Sequence, residues 1–472
     1  MTAVGLDVGT TGLKGIALDG DGTVLARAER EYPFATPRPG WTEQDPELWW
    51  EAAQLVLEEL RAAGEPEGIG LSGQMHGLVA LDSADRVLRP AILWNDQRTA
   101  AECAEIEERV GLPELIASTG NRALTGFTAP KLLWMRRHEP DLYGRIDSVL
   151  LPKDYVRLRL CGEKAMDVAD ASGTLLFDVA RRRWSSSVLE ALELDAAWLP
   201  RTLESPEVSG EADGVAVAAG AGDQAAGALG VGVDRPGPAS VVLGTSGVVF
   251  VALEEFAADP QARLHTFCHA VPGAWHAMGV MLSAAGSLRW LRDVAAPGES
   301  FATLVAEAER WEPGAEGLTF LPYLSGERTP HADPDARGAF AGLSVRHDRG
   351  ALVRAVLEGV AYGLRDCLDL LVDVGAAPTV GRVSGGGARS DLWLRIVASV
   401  LELPLERTAV DEGAAFGAAL LGGVAGGVWS DVGEAVAAGV RPSDVVEPVA
   451  DWIEPYRQGA ERFRALYPAL QG

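Results

Sequence analysis

Lysine is nearly absent from this chain. Only Lys14, Lys131, Lys153 and Lys164 stand among 41 basic residues, so lysine binding of an anionic ligand has few candidates, and Lys14 alone lies in a Gly/Thr-rich turn. Cysteine is equally sparse. Cys103, Cys161, Cys268 and Cys367 are far apart and form no C-x-x-C pair, which fits reduced thiols in a cytosolic protein. No G-x-x-x-x-G-K-[ST] occurs, so a P-loop is excluded. The uncharged run 413–430 is diluted by six glycines and has the wrong composition for a membrane span. The N-terminus enters a strand pattern with neither a basic nor an apolar leader region, so no signal peptide is expected. Positive charge is in deficit, 41 basic against 67 acidic residues for a net −26, which repels nucleic acid and anionic membrane surfaces. A cytoplasmic enzyme with small-molecule partners is expected, with a homodimer as the oligomer that remains open.

What is present is globular. Hydrophobic residues at 47% and charged residues at 23% are ordinary values, and 472 residues exceed one core, so two or three domains are expected. The opening alternates strand and turn. Ala3–Val8 reads as a buried strand, Gly9–Gly12 as a turn, Leu13–Leu18 as a strand, and Asp19–Gly22 as a hairpin turn into Thr23–Glu31. Asp45 and Pro46 read as the cap and first turn of a helix carrying Trp49, Ala52, Val56 and Leu60. Strand resumes over Gly68–Leu81, broken at Gln74–Gly77. Almost half the chain later, strand, Gly244-Thr245-Ser246-Gly247 and strand repeat the opening, which predicts two copies of one domain facing each other. Leu352 to Leu368 keeps helical spacing, Val380–Ser384 reads as a strand running into Gly385–Gly387, and Ser390 caps a helix with Trp393 and Ile396. A last helix is expected from about Glu454.

Three constellations carry chemistry. The two Gly/Thr turns offer backbone N–H groups and hydroxyls to a polyphosphate. Asp7 beside the first turn would repel phosphate unless Mg²⁺ stood between, whereas the matching place in the second copy is Val242. Either turn alone reads more readily as an ordinary hairpin; both together favour a ligand. The glycine run Gly385–Gly387 lets a flat adenosine approach the backbone, or serves only as a tight turn. In Ala219–Ala228, small residues leave Asp223 room to face a ligand as a proton acceptor, and it also reads as a helix cap. Finally, Met75 and His76 interrupt an apolar strand, where His76 reads as a sugar contact or as a satisfied structural residue. His265, Cys268 and His269 lack a second ligand pair, so no structural zinc is expected.

Gly126-Phe127-Thr128-Ala129-Pro130-Lys131-Leu132-Leu133-Trp134, together with Phe340-Ala341-Gly342-Leu343 and Arg354–Glu358, resembles the signatures of the FGGY carbohydrate kinases. Ser72–Gly77, Leu93–Thr99 and Leu321–His331 are similar to the xylulokinase branch of that family. The resemblance implies two actin-like (ribonuclease H-like) α/β ATPase lobes with a cleft between them. The boundaries expected are 1–235, 236–447 and a terminal helix at 448–472 of unassigned lobe. It implies ATP and Mg²⁺, and D-xylulose as the sugar phosphorylated. It implies Asp223 as catalytic base, and Asp7 as the residue essential for Mg-ATP, holding the metal through water. It implies that Met75, His76, Asp223 and Gln224 touch the sugar. Thr10, Thr11 and Lys14 match the first phosphate motif, Gly244, Thr245 and Ser246 the second, and Gly386 and Gly387 the adenosine motif. Gln224 stands where xylulokinases commonly carry Asn. Alternatives are a kinase of this family for ribulose, a pentitol or glycerol, and a sugar-binding sensor without turnover. A chaperone-type ATPase is a further alternative, but no residues remain for its peptide-binding domain.

Overall fold

A computed structural model describes residues 1–408 and 413–471. The alternating opening forms β1 (Thr2–Val8), β2 (Gly12–Asp19) and β3 (Val24–Glu31), an antiparallel meander. Helix α1 (Pro46–Leu60) starts where Asp45 Oδ1 accepts the Glu47 N–H at 3.0 Å, and it buries Trp49, Val56 and Leu60 against this sheet. It leads to β4 (Gly68–Gly73), parallel to β1. Then follow α2 (Thr128–His138), α3 (Pro152–Cys161) and α4 (Val168–Ser172). The strands β5 (Val208–Ala212), β6 (Val215–Ala218) and β7 (Ala221–Gly222) return to the same sheet, before α5 (Asp223–Gly230). The first sheet runs β5-β6-β4-β1-β2-β3, with β7 also pairing on β4.

The second half repeats this order. It contains β8 (Pro238–Leu243), β9 (Gly247–Leu253), β10 (His265–Cys268), β11 (Trp275–Met281), α6 (Ala285–Ala295), α7 (Arg349–Asp373), β12 (Val380–Ser384), α8 (Asp391–Leu401) and β13 (Leu405–Thr408). Its sheet runs β10-β11-β9-β8-β12-β13, closed by Pro442–Val446. Both β3-β2-β1-β4 and β11-β9-β8-β12 make two antiparallel pairings and then a parallel one, so the two sheets share one topology.

Two segments bind the halves together. Helix α9 (Gly413–Ala425) is apolar on nearly every face and packs on β1, β4 and α5 of the first sheet rather than on the second. The approach is so close that a Cβ on Gly70 would sit 1.7 Å from the Ala418 carbonyl oxygen, which only glycine avoids. Along the other side, Met75, Phe127 and Leu132 share one buried cluster with Val248, Phe250, Phe267 and Met278 of the second sheet. Each such side chain taken from water contributes roughly 1.5–3 kcal/mol, so this seam fixes the lobes against each other. The last helix, α10 (Ala450–Gln471), lies on the second lobe: Tyr456 and Phe463 join its core, and the Arg464 guanidinium pairs with Asp366 at 2.6 Å. Among the described residues no helix is long and apolar enough to cross a membrane.

Candidate active site

Three parallel strands of the first lobe, β7, β4 and β1, end together. Val8 pairs with Gly73, and Gly73 with Gly222, so the chain leaving each strand emerges at one sheet edge. One exit is the Gly9–Gly12 turn, the next is Gln74–Gly77, and the third is Asp223 at the start of α5. Asp7, next to last on β1, lies between Lys14 of β2 and Ser72 of β4. Asp7 and Asp223, 223 − 7 = 216 residues apart, therefore share one edge because of strand order alone.

The first turn is braced on every side. The Gly9 N–H donates to the Gly12 carbonyl at 3.0 Å, and the Tyr32 hydroxyl to the Gly9 carbonyl at 2.7 Å. The Thr10 hydroxyl donates to Gln74 Oε1 (3.2 Å) and accepts from the Trp94 indole (3.0 Å), while Gln44 Nε2 holds the Thr10 carbonyl at 3.0 Å. Thr11 stays exposed. Lys14 points outward from β2, with its ammonium 3.8 Å from Glu29.

The two carboxyl groups are held in unusual states. Burial, with Ser72 and Lys14 offsetting part of it, pushes Asp7 up to about 6. Burial, and then the charge of Asp7, pushes Asp223 up to about 7, with the Gln224 side chain and backbone pulling it back. Gln224 Nε2 lies 3.4 Å from Asp223 Oδ1. Among the described residues, the buried Asp7 Oδ1 has no hydrogen-bond partner. Two repelling carboxylates and an orphaned oxygen are what a divalent cation would satisfy, so these residues fit Mg²⁺.

His76 has a backbone φ of 69°, a left-handed conformation uncommon outside glycine, which turns its ring back under the strand end. Its Nδ1 lies 2.6 Å from the Gly173 carbonyl, so Nδ1 carries the proton and Nε2 is left as an acceptor. Burial lowers its pKa to about 3, against the Gly173 bond, which raises it, so the imidazole is neutral. The family-signature helix α2 fixes this geometry. The Thr128 hydroxyl and the Lys131 ammonium both donate to the His76 carbonyl, at 3.1 and 2.8 Å, and Phe127 meets the ring edge-on at 4.7 Å. Met75 fills the space between two glycines: a Cβ on Gly222 would sit 2.7 Å from Met75 Cγ, and one on Gly173 2.9 Å from Met75 Cε.

Sequence reading missed the ion cluster behind this edge. The Lys153 ammonium lies 2.8 Å from Asp154, 2.5 Å from Asp167 and 2.9 Å from Asp170, and all four side chains are fully buried. Asp167 caps α4 by accepting the Asp170 N–H at 2.9 Å, and α4 ends at Gly173, the partner of His76. Arg157 adds a bond to Asp154 at 2.8 Å and also holds the Ala219 carbonyl just before β7. Burial raises Asp167 and Asp170 above the usual carboxylate range, against the opposing pull of Lys153. The signal available was that two of only four lysines sit in apolar helical segments.

In the second lobe the matching edge carries the other motifs. The β8–β9 turn is tied to the start of α6: the Gly244 carbonyl accepts the Ala285 N–H at 2.8 Å, and the Thr245 carbonyl accepts the Ala284 N–H at 2.8 Å. Thr245 and Ser246 remain exposed. Val242 pairs with Ser384, so Gly385–Gly387 leave β12 beside this turn, and a Cβ on Gly387 would meet Leu243 Cβ at 2.8 Å. The lobes touch next to His76, whose ring lies 6.2 Å from Phe267, while His265 Nδ1 lies 2.7 Å from Asn121 Oδ1.

Comparison with known proteins agrees along the whole chain. The model of the FGGY family of carbohydrate kinases, N-terminal domain, matches residues 2–230, and that of its C-terminal domain matches 239–426. A xylulose kinase of Escherichia coli is 44% identical, over 99% of each chain. A crystal structure titled xyloylose kinase from Brucella ovis superposes with a TM-score of 0.95 at 43% identity, covering 100% of this chain and 99% of that one. The xylulose kinase of Rhodospirillum rubrum gives 0.94 at 35% identity, covering 100% and 99%. With both domain models matched and the two lobes in place, the chain belongs to the FGGY family of carbohydrate kinases.

Proposed function

We propose that this carbohydrate kinase transfers the γ-phosphoryl group of ATP to the terminal hydroxyl of D-xylulose, giving D-xylulose 5-phosphate and ADP. The observation that carries the reading is Asp223, a half-buried carboxyl raised to about 7 at the strand edge it shares with Met75 and His76. A base with that value near neutral pH is matched to its task. As the sugar oxygen attacks the γ-phosphorus and the bond to ADP breaks, the hydroxyl proton passes to the Asp223 carboxylate. Neutral His76 accepts a hydrogen bond from a sugar hydroxyl through Nε2, Met75 covers a carbon face, and Gln224 donates to the sugar beside Asp223. Thr10, Thr11 and Lys14 hold phosphate from the first lobe, Gly244, Thr245 and Ser246 from the second, and Gly386 and Gly387 admit the adenosine. Asp7 would hold Mg²⁺ through water, and the ion would supply neutralisation of phosphate charge.

The xylulose assignment follows the relatives, named as xylulose kinases at 35–44% identity. The one feature favouring a second reading, a different ketose or polyol, is Gln224, a longer amide beside the base. ADP release measured across D-xylulose, ribulose, pentitols and glycerol separates them. The expected outcome is the highest kcat/KM for D-xylulose; a greater value for any other sugar overturns the substrate assignment.

A further inference from the structure

The loop after the second-lobe core carries a cation that the mechanism above leaves unused. Arg328 is partly buried, and among the described residues no carbonyl, carboxylate or hydroxyl accepts a hydrogen bond from its guanidinium. The loop backbone is well bonded, whereas among the described residues Glu327 Oε2 is buried without a hydrogen-bond partner. The Arg328 N–H and the Leu282 N–H both donate to Glu327 Oε1, at 2.7 and 2.9 Å. Glu327 and Asp333 exchange backbone bonds, each 2.8 Å. Thr329 is clamped to β11: its N–H donates to the Val280 carbonyl at 3.0 Å, and its hydroxyl accepts the Val280 N–H at 3.0 Å while donating to the Arg263 carbonyl at 2.9 Å. The backbone is thus fixed, while the Arg328 guanidinium and, beside it, Glu327 Oε2 are left without hydrogen-bond partners among the described residues.

Position says what the tip is for. Val280 packs on the apolar seam shared with Met75 and Phe127, and Met278, two residues before it, pairs with His265. Arg328 therefore rides at the lobe junction, beside the end of the site where His76 sits. Its positive charge is felt by His265 and His76, whereas neither Asp7 nor Asp223 responds to it. That agrees with the seat its backbone takes beside Val280, at the His76 end of the junction. A guanidinium offers several N–H donors in a fixed fork, and this partly buried one, without an acceptor among the described residues, is free to donate to a ligand at the junction.

Resting on the functional reading above, we propose that Arg328 is a sugar-binding residue of the second lobe. Its guanidinium donates to oxygens of the bound ketose at the end held by Met75 and His76, away from the hydroxyl that is phosphorylated. His76 accepts and Arg328 donates, so the sugar is gripped from both lobes at once. Sugar selection then depends on a vicinal pair of oxygens, or a hydroxyl beside a carbonyl, presented to the fork.

The test is full-length enzyme carrying Arg328→Gln or Arg328→Lys, assayed by coupled ADP release and by calorimetric binding of D-xylulose and of ADP. Loss of a charged hydrogen bond predicts a sugar KM and Kd raised roughly 10- to 100-fold. The ADP Kd stays within about twofold, because uniform loss of both would mark a structural defect. Arg328→Lys recovers only part of the loss, since a point charge lacks the fork, and millimolar methylguanidinium restores turnover to Arg328→Ala. A folded variant with unchanged sugar KM, or one that loses sugar and ADP affinity equally, overturns the inference. A wild-type enzyme that turns over no sugar of the panel overturns the functional reading and this inference with it, so the two failures are told apart by the wild type alone.

Discussion

Replacing Asp223 by Asn keeps the side-chain shape and removes one charge, and its effects on folding and on catalysis should run in opposite directions. In the folded protein this carboxyl is raised from 3.8 to about 7 by burial and by Asp7. The unfolded chain gives up the proton near its ordinary value, while the folded chain keeps it until about 7. Across that interval the folded state binds more protons, so stability falls as pH rises, and the cost is complete above about 7. At 1.36 kcal/mol per pKa unit the full difference is roughly 4 kcal/mol. Because part of the carboxyl is reachable from the cleft, screening reduces this to about 1–2 kcal/mol. The ligand-free Asn variant should therefore melt a few degrees above wild type at pH 8 and level with it near pH 4. The same change removes the proton acceptor, lowering kcat by about 10²–10⁴-fold. Differential scanning fluorimetry at pH 4, 6 and 8 beside the coupled ADP assay reads both. A variant that melts below wild type at pH 8, or keeps kcat within tenfold, refutes the reasoning.

The wild-type pH profile should follow the same groups: kcat/KM rises with pH to a plateau above about 7, and steepens below about 6 as Asp7 also takes up a proton. A profile flat from pH 5 to 8 contradicts it. Lys153→Met leaves three buried carboxyl groups without their ammonium and should cost about 3–5 kcal/mol, read from the denaturation midpoint in urea. Gly222→Ala drives a Cβ to within 2.7 Å of Met75 Cγ and should destabilise by about 1–3 kcal/mol while raising the sugar KM more than the ATP KM.

What was legible in the sequence was local or repeated. The Asp45-Pro46 start, the Ser390 cap that accepts the Trp393 N–H at 3.2 Å, and the twin hairpins announce themselves through turn chemistry and strand period. What was not legible depends on pairings between distant segments. Nothing in Leu151–Gly173 tells that Lys153 gathers Asp154, Asp167 and Asp170, because α3 and α4 meet only after β4 and β7 have placed them. The Gly-rich stretch 413–425 reads only as unsuited to a membrane span, and nothing in it tells that it forms a helix returning to the first sheet, since its apolar faces fit either sheet equally. Lys14 stands in the turn by sequence, yet strand alternation turns it outward beside Glu29. The left-handed φ of His76 has no cue in residue type, because histidine seldom adopts it.

The charges left unmatched explain why the site takes the form it does. The first lobe holds two repelling carboxyl groups and an orphaned Asp7 oxygen; the second holds a guanidinium without an acceptor. Neither lobe relieves itself from within, because among the described residues no protein group pairs the buried Asp7 oxygen or accepts from the Arg328 guanidinium. On the proposed reading, a cation with its phosphates would answer the first imbalance and a polyhydroxylated sugar the second. The desolvation cost is thus carried by the empty protein and released on binding. An unliganded enzyme built this way gives up stability at the edges of β1, β4 and β7, and the sheet order that brings them together is what makes the sacrifice local.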